Sequence, residues 1–148
     1  MSQKETWRTR KYWSETGGLL IEEFLAVNGN KTTGRRPLDG VIILNEKSSI
    51  HKGNFRDIEN KDVIVIQTKS GRIGMYLLGQ AYFSQFLIQK HNPRSIKSVA
   101  ICGENDDVIG KLAEEHDIEV VVIKDNEYEE KYDIPKYINK NRTLHNNV

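Results

Sequence analysis

Three polar residues at the ends of two apolar segments have the types and spacing needed to bind a metal ion. Asp39 lies near the start of segment 38–44, while Gln67 and Lys69 lie at the end of segment 63–68. Side chains alternate along a strand, so Gln67 and Lys69 are predicted to share a face. If the two segments form an antiparallel pair, Asp39 lies beside them. Carboxylate and amide oxygens suit Mg²⁺, with Mn²⁺ as a substitute, and Lys69 could hold, orient or help deprotonate an attacking water.

The elements that must position these residues belong to an α/β protein. The two segments are β-branched and nearly continuous in apolar residues, which is typical of strands covered on both faces. Further along the chain, strand and helix patterns alternate, which predicts parallel neighbours with helices on the faces. The predicted helices are 73–91 and 106–116, and the predicted strands are 95–102 and 118–123.

Two segments before the second strand are assigned by their patterns. Residues 19–27 have an apolar stripe with helical spacing, which predicts a helix that begins near Ser14 or Thr16 and carries Glu22 and Glu23. Residues 45–62 are polar and are interpreted as an insertion, with a short strand near 49–51. The later helix 73–91 is apolar almost all the way round, so it is predicted to be largely buried.

The motifs Pro37-Leu38-Asp39 and Gln67-Thr68-Lys69 resemble those of the PD-(D/E)XK nucleases. The order of elements over residues 17 to about 123 is similar to that of archaeal Holliday-junction resolvases and Mrr-type restriction endonucleases. The resemblance implies a restriction endonuclease-like αβββαβ core, in which helices flank a mixed central sheet. It also implies a metal-dependent DNA endonuclease that hydrolyses phosphodiester bonds with a metal-activated water.

The same resemblance implies roles for individual residues. Asp39 and Gln67 would be metal ligands, Lys69 would act at the water, and Glu22 or Glu23 would bind the water or a second metal. Helical phase favours Glu22, although either glutamate could be a solvated helix-face acid. Gln80 resembles a helix glutamine that RecB-like relatives have near the site, and a buried amide bonded to backbone is the alternative reading.

Two departures from the family pattern keep a second function open. Gln67 occupies the acidic position, which removes one negative charge and should weaken metal binding in the absence of DNA phosphate. Asp39 and Gln67 are 28 residues apart, which exceeds what a tight hairpin needs. Either departure fits a catalytically inactive, nuclease-fold DNA-binding or accessory protein. A third reading is a small-molecule or signalling domain in which Asp39 and Lys69 are incidental.

Charge is unevenly distributed along the chain. Residues 67–97 hold five cations and no carboxylate, whereas residues 98–135 have a net charge of −9. Basic segments that meet on one face could bind DNA phosphates, and Arg35, Arg36, Lys69 and Arg72 are the predicted contacts. Alternatively, the basic and acidic halves attract each other.

The length of 148 residues predicts a single nuclease-like domain over 1–148, with a core at about 14–123 and a polar C-terminal arm at 124–148. A single cysteine and a polar N-terminus predict a cytoplasmic protein without a membrane partner. Trp7 and Trp13 either dock the N-terminal segment on the core or belong to a DNA-binding arm. A short chain covers little duplex, so we expect a homodimer or higher homo-oligomer, formed through helix 73–91 or the C-terminal arm.

Overall fold

The computed structural model describes residues 3–53 and 57–133, and it has a mixed six-stranded sheet at its centre. Its strands, in chain order, are β1 (Leu19–Val27), β2 (Arg36–Ile43), β3 (Ser49–Lys52), β4 (Asp62–Thr68), β5 (Ser95–Cys102) and β6 (Ile118–Val122). The helices are α1 (Gln3–Thr16), α2 (Met75–Gln89) and α3 (Asp107–Glu115), and two 3₁₀ turns follow at Asp125–Glu127 and Glu130–Tyr132. The predicted α/β class is confirmed.

The strand order in the sheet is β3-β1-β2-β4-β5-β6. β1, β2 and β4 are antiparallel neighbours, whereas β4, β5 and β6 run parallel and β3 runs parallel to β1. β2 and β4 are therefore the two central strands, which explains why both are buried on both faces. Their antiparallel pairing brings the start of β2 to the end of β4, as expected for Asp39 and the Gln67–Lys69 segment.

Helices cover both faces of the sheet. One apolar cluster joins Trp7 and Tyr12 of α1 to alternate residues of the strands, including Ile64 and Ile66 of β4. On the other face, α2 packs against residues such as Val65, and α2 and α3 together cover Ala100 and Cys102 of β5. The core is thus a three-layer sandwich with α1 on one side of the sheet and α2 and α3 on the other.

The predicted helix over residues 14–27 is wrong, because Leu19–Val27 is the strand β1. Leu19 and Ile21 contribute to the core on the α2 side, whereas Leu20 contributes to the core on the α1 side. A strand covered on both faces is apolar at successive positions, and such a short run cannot be told from a buried helix by periodicity alone. The helix lies upstream, in α1, and the Gly17–Gly18 step ends it.

Most other predicted elements are confirmed. The insertion contains β3, which pairs with β1 at one edge of the sheet. Helices 73–91 and 106–116 correspond to α2 and α3, shortened by one or two residues at each end. However, α2 is not largely buried, because the sheet and α3 cover only part of its circumference. Exposed apolar side chains on α2 are Met75, Tyr76, Phe83 and Phe86.

The N-terminal aromatic residues dock on the core and do not form a free arm. Trp7 is buried against the rings of Tyr128 and Tyr132, which belong to the first part of the predicted C-terminal arm. The rest of that arm, residues 134–148, lies outside the described residues. Within the described ranges, no helix has the length and apolar character needed to cross a membrane.

Candidate functional site

Asp39 is tied directly to the end of β4. The backbone N–H of Thr68, the residue between Gln67 and Lys69, donates a hydrogen bond of 2.8 Å to Oδ2 of Asp39. This contact joins the two motifs that the sequence analysis singled out. The Thr68 hydroxyl, which is buried, has no hydrogen-bond partner among the described residues. The junction therefore combines a carboxylate with an unsatisfied polar atom.

Burial raises the pKa of the Asp39 carboxyl to about 6, against the opposing effect of the hydrogen bond from Thr68. The carboxylates of Glu5 in α1 and Glu23 in β1 raise this pKa further. Desolvation and like charges both disfavour the ionised form of a carboxyl group. A cation bound nearby would relieve both effects, so Asp39 has the electrostatic setting of a cation ligand.

Glu23 lies across from Asp39 in the sheet. Glu22 pairs with Gly40 and Phe24 pairs with Leu38, so the register puts Glu23 opposite Asp39. Glu23 has a φ of 53°, a left-handed backbone conformation that is uncommon for a residue with a side chain. Strained positions of this kind are concentrated at functional sites.

The Gln67 side chain is held by α2. Ser84 donates its hydroxyl hydrogen to the Gln80 carbonyl, so the Gln67 amide nitrogen must donate to Ser84 Oγ, at 2.7 Å. This arrangement directs the Gln67 amide hydrogens to Ser84 and leaves Oε1 as the atom that could contact a cation. Gln67 is buried, so any such contact would occur below the protein surface.

Lys69 follows β4 and is exposed. Its ammonium lies 5.4 Å from the ring centroid of Tyr76 in α2, within the range of a cation–π contact. Gln67 and Lys69 therefore both contact α2, in agreement with the expectation that they share a face. Neither is hydrogen-bonded to Asp39 in the described part of the chain.

Glu22, the favoured glutamate of the sequence analysis, forms a buried ion pair. Both its carboxylate oxygens accept from the Arg10 guanidinium, at 2.7 and 3.1 Å. Arg10 also donates to the carbonyl of Tyr132, which links α1, β1 and the C-terminal turns. Glu23 instead forms a looser ion pair with Lys52, at 3.7 Å, and, unlike Glu22, it raises the pKa of Asp39.

The other predicted site residues are dispersed. Arg35 and Arg36 are exposed in the connection that leads into β2. Arg72 is exposed and forms an ion pair of 3.0 Å with Glu104. Gln80 contributes its backbone carbonyl, which accepts from Ser84 and thereby orients Gln67 indirectly.

Sequence reasoning missed Glu5 and Ser84. Glu5 lies in the first turn of α1, a helix that was not predicted because residues 3–16 are strongly polar. The feature of the sequence that could have identified Glu5 is an acid in the first turn of a helix. Such an acid is equally well explained by its favourable interaction with the helix dipole. Ser84 has no signal in the sequence, because only the packing of α2 on β4 brings it to Gln67.

A metal ion at this end of β2 and β4 would need ligands from the substrate. In the described ranges, no three or more His, Cys, Asp or Glu side chains are grouped so as to hold a metal ion. Mg²⁺ commonly binds through one or two protein carboxylates, and waters and substrate phosphates supply the remaining ligands. Asp39 and Gln67 Oε1 would provide two oxygens. Glu23, the acid opposite Asp39, lines an open cavity of about 760 Å³ together with Arg10, Lys52 and Ser70 among others, but Asp39 and Gln67 do not line it.

Comparisons with known proteins leave the family open. No protein-family model matches the chain, and no curated protein or solved structure is similar enough to count as a match.

Proposed function

We propose that the protein is a DNA endonuclease of the PD-(D/E)XK type that hydrolyses phosphodiester bonds with Mg²⁺. The observation that carries the proposal is the hydrogen bond from Thr68 N–H to Asp39, because it unites the two motifs at one end of two central strands. The element order also fits the proposal, with α1 as the first helix. Glu5 in α1, which acts on Asp39, is then the helix carboxylate that the family pattern calls for.

Each residue has a role that follows from its surroundings. Asp39 and Gln67 Oε1 would hold the cation, which when bound supplies a water of lowered pKa and stabilises charge on the phosphate. Ser84 orients the Gln67 amide so that Oε1 is available. Lys69, which is exposed beside Tyr76, is positioned to donate to a phosphate oxygen or to the water.

Cleavage of supercoiled, linear and branched DNA with Mg²⁺ or Mn²⁺ tests the proposal. Lys69→Ala should reduce the rate by roughly a hundredfold or more, the usual effect of losing a positioned acid–base group. Asp39→Asn should also reduce the rate, because it removes the charged metal ligand. Asp117→Asn and Lys111→Ala are the matched controls, because Asp117 and Lys111 are exposed at and near the end of α3, away from Asp39. If the site variants cleave as fast as these controls, the proposed site is wrong.

The Ser84–Gln67 contact gives a second, sharper test. Ser84→Ala should weaken Mn²⁺ binding in calorimetry and slow cleavage, because the Gln67 amide loses its fixed orientation. Ser98→Ala is the matched control, since Ser98 is also a buried serine that donates to a carbonyl of α2. Equal effects of both substitutions would show that Ser84 acts only through packing.

A catalytically inactive DNA-binding protein is the second candidate, and the neutral, buried Gln67 favours it. Such a protein would bind DNA with a steep dependence on salt but would not cut it with either cation. Gln67→Glu separates the two candidates. In a nuclease, the added carboxylate should tighten Mn²⁺ binding and preserve cleavage, whereas an inactive protein should remain inactive.

A further inference from the structure

The outer face of α2 has a stripe that consists of the exposed Met75, Tyr76, Phe83 and Phe86 and the half-buried Gly79, here called the α2 outer stripe. Tyr76 is 70% exposed and Phe83 is 65% exposed, although aromatic side chains of this size normally bury most of their surface. The stripe runs for about 18 Å along the helix, from the rise of 1.5 Å per residue. Contiguous exposed apolar surface of this kind marks an interaction site.

The composition of α2 also indicates a covered helix. None of its fifteen residues is charged, whereas a helix that faces solvent usually has charged residues on its outer face. The side chains of Phe83 and Phe86 already contact each other and the ring of Tyr82, which holds them in place. The stripe is therefore preorganised and loses little conformational freedom when it is covered.

Gly79 forms a notch in the middle of the stripe. No heavy atom of the described residues lies within 4 Å of a Cβ built at this position. Glycine inside a helix lowers helix stability relative to alanine, so nothing within the described fold explains its presence. A small residue at a helix surface allows another helix to approach closely.

The stripe is complementary to itself. If two copies of α2 cross antiparallel about a two-fold axis near residue 81, Gly79 of each copy faces Phe83 of the other, and Tyr76 faces Phe86. Each Phe83 ring then fills a notch, and the aromatic side chains pack in pairs. A two-fold interface requires this property, because the same surface is used by both copies.

The charges at the ends of α2 favour the same antiparallel arrangement. At its N-terminal end, Glu104, Asp106 and Asp107 act on Arg72, and Lys69 lies beside Tyr76, so these acids outnumber these cations by one. At its C-terminal end, the exposed Lys90 is the C-cap residue. An antiparallel pair brings the acidic end of each copy to Lys90 of the other, and it also aligns the helix dipoles favourably.

We propose that the α2 outer stripe binds the same stripe of a second copy of this chain, forming a two-fold symmetric homodimer. A second copy fits better than the C-terminal arm, because the described chain ends at Asp133, next to Tyr132, which packs in the core on the α1 side of the sheet. The inference does not depend on the proposed nuclease activity.

Sedimentation of the full chain over a range of micromolar concentrations tests the inference. The parent should be a dimer, and Phe83→Glu should weaken association by roughly a hundredfold or more, because it removes a central aromatic anchor and opposes two like charges. Gln85→Glu is the matched control, since it adds the same charge to another face of the same helix. A monomeric parent, or a Phe83→Glu variant that remains dimeric, would overturn the proposal.

Gly79→Leu separates association from folding. Leucine favours the helix, so the melting temperature measured at low concentration should be unchanged or higher. The same side chain fills the notch and should weaken dimerisation by roughly tenfold or more. Dimerisation unaffected by Gly79→Leu would show that the two helices do not meet at this position.

Discussion

Asp39 is a buried carboxylate whose ionised form is disfavoured mainly by desolvation and also by two other acids. The acids that raise its pKa are Glu5 and Glu23, and the hydrogen bond to its Oδ2 comes from the uncharged backbone N–H of Thr68. The folded protein therefore binds the Asp39 proton more tightly than the unfolded chain does. Such a group links stability to pH in a direction opposite to that of a salt-bridged carboxylate.

In chelator-treated protein, the free energy of unfolding should fall as pH rises from about 4 to about 6, the window between the unfolded and folded pKa values of Asp39. The stabilisation is fully present below the lower value and is lost above the higher one, with an upper limit of about 3 kcal/mol. Asp39→Asn should flatten this segment of the curve, because asparagine does not titrate. Urea denaturation at several pH values measures the difference, and parallel curves for both proteins would contradict the assigned pKa.

The Arg10–Glu22 pair shows a different use of buried charge. Glu22 is 2% exposed, and its carboxylate is matched by a guanidinium that spans both oxygens. Removing one partner of such a pair leaves an uncompensated charge in the interior. The pair accounts for the burial of the Glu22 side chain by structure alone.

Glu22→Leu and Arg10→Met should each destabilise the protein by about 3–5 kcal/mol, whereas the double substitution should cost much less than their sum. A double-mutant cycle in urea denaturation measures the coupling. Lys11→Met with Glu15→Leu, which removes a partly exposed i,i+4 pair of α1, should show coupling below about 1 kcal/mol. If Glu22→Leu proves neutral for folding, the ion pair is not structural.

At the scale of elements, the junction between α1 and β1 determines where the site lies. Gly17 and Gly18 have φ values of 77° and 87°, and the Gly17 N–H donates to the Trp13 carbonyl at the end of α1. These two residues turn the chain from the α1 layer into the sheet. Consequently Leu19–Val27 becomes an interior strand, and its Glu23 comes to lie across from Asp39.

Gly18→Ala should destabilise the protein by about 2–4 kcal/mol, because it combines a left-handed backbone with overpacking. A Cβ at Gly18 would lie 2.7 Å from the Ile43 carbonyl oxygen. Gly17→Ala is the matched control: no described heavy atom lies within 4 Å of its Cβ, so only the backbone term of about 1 kcal/mol remains. Thermal unfolding measures the stability of both variants, and equal losses of stability would contradict the close approach of Gly18 to β2.

At the scale of the whole molecule, part of the uneven charge is paired internally. The acidic second half of the chain meets basic residues of earlier segments in ion pairs such as Arg8–Asp125, Arg72–Glu104 and Lys97–Glu119. Arg72–Glu104 and Lys97–Glu119 join the basic stretch 67–97 to the acidic half, as expected if the two halves attract each other. The predicted cations therefore differ in what they can offer to DNA, because Arg35 and Arg36 are exposed while Arg72 is already engaged.

Arg35→Ala and Arg36→Ala should each reduce the slope of log affinity against log salt by about 1, if each neutralises one DNA phosphate. Arg94→Ala should leave the slope nearly unchanged, because Arg94 is paired with Asp62. Fluorescence anisotropy with a labelled duplex at several salt concentrations provides the measurement. If only Arg94→Ala reduced the salt slope, the DNA interface would lie near Arg94, beyond the C-terminal end of α2.

Local patterns in the sequence determined the strands β2, β4, β5 and β6, the helices α2 and α3, and the pairing that brings Asp39 to the end of β4. These features depend on side-chain alternation and on neighbours along the chain, which a single sequence displays. Only the tertiary structure decided that Leu19–Val27 is a strand, that Glu22 binds Arg10, that Ser84 orients Gln67 and that one face of α2 is exposed. Each of these depends on which distant element covers a given face, and burial and hydrogen bonding between such elements outweigh local propensity.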